Sequence, residues 1–273
     1  MPVDLDLGQC FFHYTTREAA FGGILPTGQL RLSPYRAMRD PLENQHWRFT
    51  FAGYGPRDDD QLRADLARYD EFERRANEGV RDRSRLLSLT IDAQPSPDGE
   101  REPFCRGWAR ARMWEQYAEK HRGVCLVFDR QLLAEHFDRS VEAAGIKARY
   151  HQPVTYDGAG MLKPIIPQEE LDDPELLDRY IAANANALFF TKTRDWETEH
   201  EFRFVAITRE DTSLSVEYGS ALMAVIAGER LPSWEWPAVT SACQQVGAQA
   251  LRVLWKNWRP GLVELGSRTE RDG

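Results

Sequence analysis

The chain has 273 residues, 42% of them hydrophobic, and a formal net charge of −8. That length buries one large core and approaches the size at which cores divide, while the acidity removes any general attraction to phosphate backbones. No apolar run approaches the roughly 18–20 residues of a membrane span, and the first ten residues lack the basic and apolar parts of a secretory signal, so the expected address is cytoplasmic.

In chain order, residues 10–16 read as a strand, because aromatic and β-branched residues cluster there. Residues 17–25 turn helical before Pro26 and Gly28, and Leu30–Pro34 is a second short strand. The polar stretch Arg36–Glu43 holds Pro41 and reads as a loop over the surface. Residues 57–85 form a charged helical excursion whose narrow apolar seam is Leu62, Leu66 and Tyr69. Leu86–Asp92 alternates as a strand, and the proline-rich stretch Gln94–Pro103 is a loop.

From Arg110 to Arg122 the pattern is helical, with Met113, Trp114, Tyr117, Ala118 and His121 on one side and Gly123 as its end. Gly123–Asp129 is apolar enough for a central strand. A helix over about 131–144, a strand over Ala148–Tyr156 and a helix from Pro174 to Phe190 follow, the last entered past Asp172 and Asp173, which suit its positive end. Glu201–Thr208 and Ala221–Gly228 are strands, Trp236–Gly247 is a helix, and Ala250–Trp258 is the last strand. Without regular βαβ spacing, the fold class is α+β: a mixed, largely antiparallel sheet with flanking helices. One domain spans 1–265, and 266–273 is a polar tail. Trp234, Trp236, Trp255 and Trp258 are expected to close the core under the last helix and strand; an exposed subset would mark a surface for self-association.

Four cysteines, Cys10, Cys105, Cys125 and Cys243, form no CxxC pair, and the six histidines show no ligand spacing, so free thiols and no metal are expected. The most chemically loaded stretch is Trp196–Arg203. A strand there puts Phe202, Phe204 and Ala206 on one face and Glu199, Glu201, Arg203 and Val205 on the other, with the two carboxylates about 6.6 Å apart. Like charges that close cost free energy unless a cation or a function offsets them. The segment is thus either a surface ion-pair ladder answered by Arg203 or a site. His13, on a face with Phe11 and Thr15, is either a hydrogen-bonded strand residue or a catalytic one, and Trp114 and Tyr117 are either core or a stacking platform.

The blocks HYTT, IL-x-x-Gly-x-L-R-L-S, RDPLE, LSLT, MWEQYAEKHRGVCLVFD and TK…WETEHEFRFV, in order over roughly 11–228, resemble an uncharacterised bacterial family of unknown function, with Arg39 standing where that family has Asn. More distantly, the order resembles the ADP-ribosyltransferase fold: a histidine on the first strand, a Ser/Thr-bearing strand, a helix tyrosine and a late glutamate. His13, Ser88 and Thr90, Tyr117 and the Glu199-His200-Glu201 unit hold those positions.

That likeness implies NAD as substrate, without a metal. Cleaving its nicotinamide–ribose bond builds an oxocarbenium-like charge that a carboxylate stabilises best where water is excluded. Glu201 would take this role and Glu199 would orient or deprotonate the acceptor. His13 and Tyr14 would border the adenosine-side ribose, Tyr117 would stack on nicotinamide with Trp114 behind it, and Arg31 or Arg203 would meet the pyrophosphate. The implied function is NAD-consuming transfer to an unknown macromolecule in bacterial defence or stress. On this reading Glu201→Gln loses transfer and keeps the fold. A non-catalytic nucleotide- or peptide-binding module is the alternative, and a nuclease gathering Asp40, Glu43, Glu199 and Glu201 around magnesium is the third. Nucleic acid is not the favoured partner, although Arg106, Arg110 and Arg112 offer a local basic surface.

Overall fold

Val124 to Phe128 is apolar at every position, and the strand it forms is fully buried in the sheet. The computed structural model describes residues 5, 8–41, 43, 46–52, 58–94, 102–157, 165–167, 170–173, 175–208 and 212–266. Most of the loop expected at Gln94–Pro103 and all but Gly266 of the polar tail lie outside them. The strands are β1 (Cys10–Thr15), β2 (Gln29–Pro34), β3 (Thr50–Ala52), β4 (Ser84–Thr90), β5 (Val124–Asp129), β6 (Arg149–Pro153), β7 (Ile165–Pro167), β8 (Glu201–Ile207), β9 (Leu214–Glu217), β10 (Leu222–Ala227), β11 (Gln249–Lys256) and β12 (Arg259–Glu264). The helices are α1 (Arg17–Ala19), α2 (Leu25–Thr27), α3 (Asp59–Asn77), α4 (Glu102–Cys105), α5 (Ala111–Tyr117), α6 (Arg130–Ala143), α7 (Leu176–Phe189) and α8 (Trp236–Gln245).

Among the described residues, ten strands share one sheet, in the order β12-β11-β10-β5-β1-β4-β2-β9, with β8 along the far edge of β4 and β6 beyond it. β10 and β11 run parallel across the α8 connection, and the other ladders of this sheet are antiparallel. The fold is α+β with a mixed, mostly antiparallel sheet. β3 and β7 form a separate parallel pair.

One face of the sheet is sealed by a continuous core, in which Phe11, Leu126, Phe202 and Phe204 pack with Leu133, Phe137 and Val141 of α6 and Val239 and Cys243 of α8. The opposite face carries two separate cores. Phe12, Tyr14 and Val127 pack with Met113 and Trp114 of α5, and Tyr35, Leu86 and Val205 pack with Phe72 and Ala76 of α3 and Ile181 and Phe189 of α7. Between these two cores the sheet forks. One edge of β4 pairs Thr90 with Phe12 of β1, and Leu86 and Arg85 with Ser33 and Pro34 of β2, so Leu87–Leu89 lie between two diverging strands.

Several expectations need correction. The helix begun near Arg110 ends at Tyr117, because Glu119, Lys120 and His121 take positive φ (48°, 55° and 68°) and turn the chain back; Gly123 N–H then bonds the Ala118 carbonyl. α3 is capped by Asp58 and Gln61 as a capping box, yet its buried apolar residues, Phe72 and Ala76, lie toward its C-terminal end, while Leu62 and Leu66 are exposed. Of the seam read from the sequence, Tyr69 packs against the core shared with α7, and the other apolar contacts lie beyond it. The loop at 36–43 lies at the surface only in part: Ala37, Arg39 and Pro41 are exposed, while Asp40 and Glu43 are buried. Four strands escaped notice, β3, β7, β9 and β12, the last formed by a reversal at Asn257–Trp258. Of the four C-terminal tryptophans, Trp236 and Trp255 pack on the cores, while Trp234 and Trp258 are exposed. All four cysteines are buried and free.

Gly123 sits where β5 meets β1, and a Cβ there would lie 2.4 Å from the Thr15 carbonyl oxygen and 2.8 Å from the Ala118 carbonyl carbon. Both neighbours are backbone and cannot rotate aside. Gly123→Ala is therefore expected to cost about 1–3 kcal/mol by overpacking, read as a lower urea midpoint; an unchanged midpoint would show that the β1–β5 junction yields.

Candidate functional site

Glu199 and Glu201 meet, though not as strand neighbours. β8 begins only at Glu201; Arg194–Glu199 is a tight helical turn closed by His200 in the left-handed region (φ 44°). The two carboxylates converge on Lys192, whose Nζ lies 3.0 Å from Glu199 Oε2 and 2.8 Å from Glu201 Oε2. Arg203 grips Glu201 with both arms, Nε to Oε1 at 2.6 Å and Nη2 to Oε2 at 3.0 Å, and donates from Nη1 to the Phe189 carbonyl at 2.6 Å. That carbonyl belongs to the last residue of α7, where a cation also suits the helix dipole. Glu43 completes the group, ion-paired with Arg203 and 3.8 Å from Lys192.

All five side chains are buried, so of the two readings of this segment the surface ladder gives way to an internal network. Three carboxylates against two cations leave it a formal charge of −1. Burial alone would raise the Glu201 carboxyl, but Arg203 and Lys192 outweigh it and bring it to about 2. Glu43, largely desolvated and competing for the same cations, is pushed up instead. Burial opposes the charge on Lys192 too, and the surrounding carboxylates reverse that and raise it. Three of the acids considered for magnesium, Glu43, Glu199 and Glu201, thus surround two protein cations.

Above the network lies a cavity of about 240 Å³ in the fork of the sheet. His13, Tyr14, Arg31, Ser88, Thr90, Tyr117, Glu199 and Glu201 all border it. His13 donates to the Ser88 backbone; burial drives its pKa down to about 4, so the imidazole is neutral near pH 7. Ser88 Oγ is buried beside it without a hydrogen-bond partner. Tyr117 donates to Glu199 Oε1 at 2.8 Å, and the Arg39 guanidinium lies 4.6 Å over its ring. Tyr14 is less available, since its hydroxyl donates to the Gly107 carbonyl at 2.6 Å and its ring packs edge-on to Trp114.

Two of the expected binding residues are elsewhere. Trp114 is sealed in the core, its indole N–H donating to the Trp108 carbonyl at 2.8 Å. It shares the helix side of Tyr117, but the cavity wall passes between them. Arg203 is fully buried beneath Glu201, with its donors committed, and cannot reach a pyrophosphate. The sequence reading missed Lys192 and Trp196, which border the cavity with Lys192 Nζ 4.9 Å over the Trp196 ring. A lysine two positions beyond the apolar run Ala187–Phe190 was the available signal.

Glu201→Gln, expected from the sequence to spare the fold, removes a carboxylate held by both Arg203 and Lys192 and leaves Glu43 and Glu199 to answer the two cations. Removing one partner of a buried pair costs about 3–5 kcal/mol, so the variant should unfold at a distinctly lower urea concentration than the wild type; an unchanged midpoint would mean that solvent reaches the network. Acid should act similarly. His13 and His200 fall from 6.5 to about 4 through burial, so the unfolded chain takes up protons first and stability is lost as pH drops from about 6.5 toward 4. Glu201 adds a loss between about 4.5 and 2, partly offset by Glu43, whose shift has the opposite sign. Melting temperatures across this range should decline from above pH 6 downward, and a plateau reaching to pH 4.5 would contradict neutral buried imidazoles.

Among the described residues, no helix is long and apolar enough to cross a membrane. No curated protein and no solved structure matches the chain. Residues 113–204, about a third of the chain and the part that carries Tyr117, Lys192, Glu199, Glu201 and Arg203, match the family model described as "Protein of unknown function (DUF2971)".

Proposed function

We propose that the forked cavity binds NAD and that the protein is an ADP-ribosyltransferase-like enzyme with a macromolecular acceptor, acting in bacterial defence or stress. The supporting observation is the charge layout. The buried floor carries three carboxylates against two cations, and the exposed guanidiniums of Arg31 and Arg39 stand at the rim. NAD has the complementary polarity, a cationic nicotinamide ring and an anionic pyrophosphate. The hollow is smaller than the roughly 300–1,000 Å³ of typical ligand sites, which fits the nicotinamide–ribose end inside and the pyrophosphate across the rim.

In this reading the nicotinamide ring lies against Tyr117 and Trp196. Its glycosidic bond breaks with the electron pair leaving on the ring nitrogen, which departs as neutral nicotinamide. The positive charge left on the ribose faces Glu201, held ionised by its two cations. The acceptor nucleophile then bonds the anomeric carbon and passes its proton to Glu199. The second nitrogen of His13 and Ser88 Oγ would hold sugar hydroxyls.

One observation favours the non-catalytic binding module instead: both oxygens of Glu201 are already held by Arg203 and Lys192, which dampens the field a carbocation would feel. Incubation with NAD, following nicotinamide release and the melting temperature together, separates the two. The enzyme reading expects release that falls about 10²-fold in His13→Gln, through loss of positioning, a substitution outside the ion network. A melting shift with NAD but no release selects the module, and neither signal ends both readings.

A further inference from the structure

A second cavity, about 640 Å³, opens on the other side of the wall made by α5 and the 194–199 turn. Ala111, Arg112 and Thr198 face this side, whereas Met113, Tyr117, Trp196 and Glu199 face the first cavity. Three of its lining residues carry buried polar atoms without a hydrogen-bond partner: the indole Nε1 of Trp255, Nε of Arg110 and Nδ1 of His121. Buried polar atoms are nearly always satisfied, and three orphans around one cavity indicate a polar partner that the fold itself does not supply.

The rim points the same way. Trp258 stands at the β11–β12 reversal with 92% of its surface exposed, at φ 65°, directly after Asn257 at φ 48°. Two consecutive left-handed residues are the geometry that Asn-Gly fills without strain, and a tryptophan there is unfavourable in backbone and in solvent exposure at once. Nothing in the fold repays that position, as no described residue covers the ring. Phe104, also exposed, lines the same cavity. The charged lining is Arg110 and Arg112 against Glu229, which already accepts the Trp255 backbone N–H, so the cavity is locally positive on an acidic protein.

We infer that this second cavity is a binding site for a free nucleoside monophosphate. The flat base lies on the exposed indole of Trp258, its edge answers the Trp255 N–H and the Arg110 Nε–H, and the phosphate meets the exposed guanidinium of Arg112. Stacking on an aromatic face with arginine beside it is the general chemistry of nucleotide recognition. A free nucleotide is preferred to a strand because the net charge of −8 repels a polyanion while the cavity itself is positive. The site is independent of the NAD reading.

Calorimetric titration of the full chain with AMP, adenosine and a single-stranded oligonucleotide tests it. Saturable AMP binding is expected, weakened at least about fivefold in Trp258→Gly, the lower end of what base stacking contributes. Trp258→Gly should melt no lower than the wild type, since glycine suits the left-handed turn, so lost binding cannot be blamed on lost folding. Arg112→Gln should weaken AMP and leave adenosine unchanged, and His13→Gln, in the other cavity, should bind AMP as the wild type does. Absence of saturable AMP binding, an AMP affinity untouched by Trp258→Gly, or tighter binding of the oligonucleotide than of AMP would each overturn the assignment.

Discussion

The grip of Arg203 and Lys192 on Glu201 is the constraint on which the site rests. Taking charged groups out of water is expensive, and the cost is met only where nearly every polar atom finds a partner. Here those partners arrive from separate places: Glu43 from the stretch after β2, Lys192 from just beyond α7, Glu199 from the turn before β8, and Glu201 and Arg203 from β8 itself. Satisfying the charges therefore fixes four segments at once. Arg203 extends the weld by holding the last carbonyl of α7, beside the Leu188 carbonyl that Tyr35 holds at 2.7 Å. The network is as much the anchor of α7 as the floor of the cavity.

This double role explains why charge and position cannot be varied separately. A carboxylate that only decorated a cavity would tolerate neutralisation, whereas neutralising Glu201 takes from two desolvated cations the carboxylate they share. Tyr117 and His13 are free of that coupling. Tyr117 touches the network through a single hydrogen bond to Glu199, and His13 contacts the backbone of β4. Any chemistry in the cavity is best read through these peripheral groups, because their removal does not dismantle the floor.

Much of the fold was legible in the sequence because it follows from burial. Val124–Phe128 is apolar throughout and becomes a strand covered on both faces; Phe202, Phe204 and Ala206 alternate and fill one core as their spacing requires. Pro260 and Gly261 disguised β12, and the four residues of β9 were too few to show a period. For the site, residue type was legible and geometry was not. Glu199 and Glu201 stood out as a pair, but what joins them is a lysine seven positions before the first, and Glu43 enters from far up the chain. Trp114 and Tyr117 have the same helical phase, and only the course of the cavity wall, a tertiary fact, puts one in the core and the other at the site.

The fork in the sheet sets a final condition. β1 and β2 leave the same edge of β4 and take other partners, β5 and β9, so the peptide groups from Leu87 to Leu89 lose the strand that would have covered them. A buried backbone group without a partner is costly, and a fork survives only if something answers it. His13 does so at Ser88, which is a physical reason for a histidine in a strand otherwise made of aromatic and hydroxyl residues. Burial, acting against that contact, keeps the ring neutral beside the unpartnered Ser88 hydroxyl. The feature that closes the defect in the sheet thereby equips the cavity, and a ligand with hydroxyl groups would complete what the backbone leaves open.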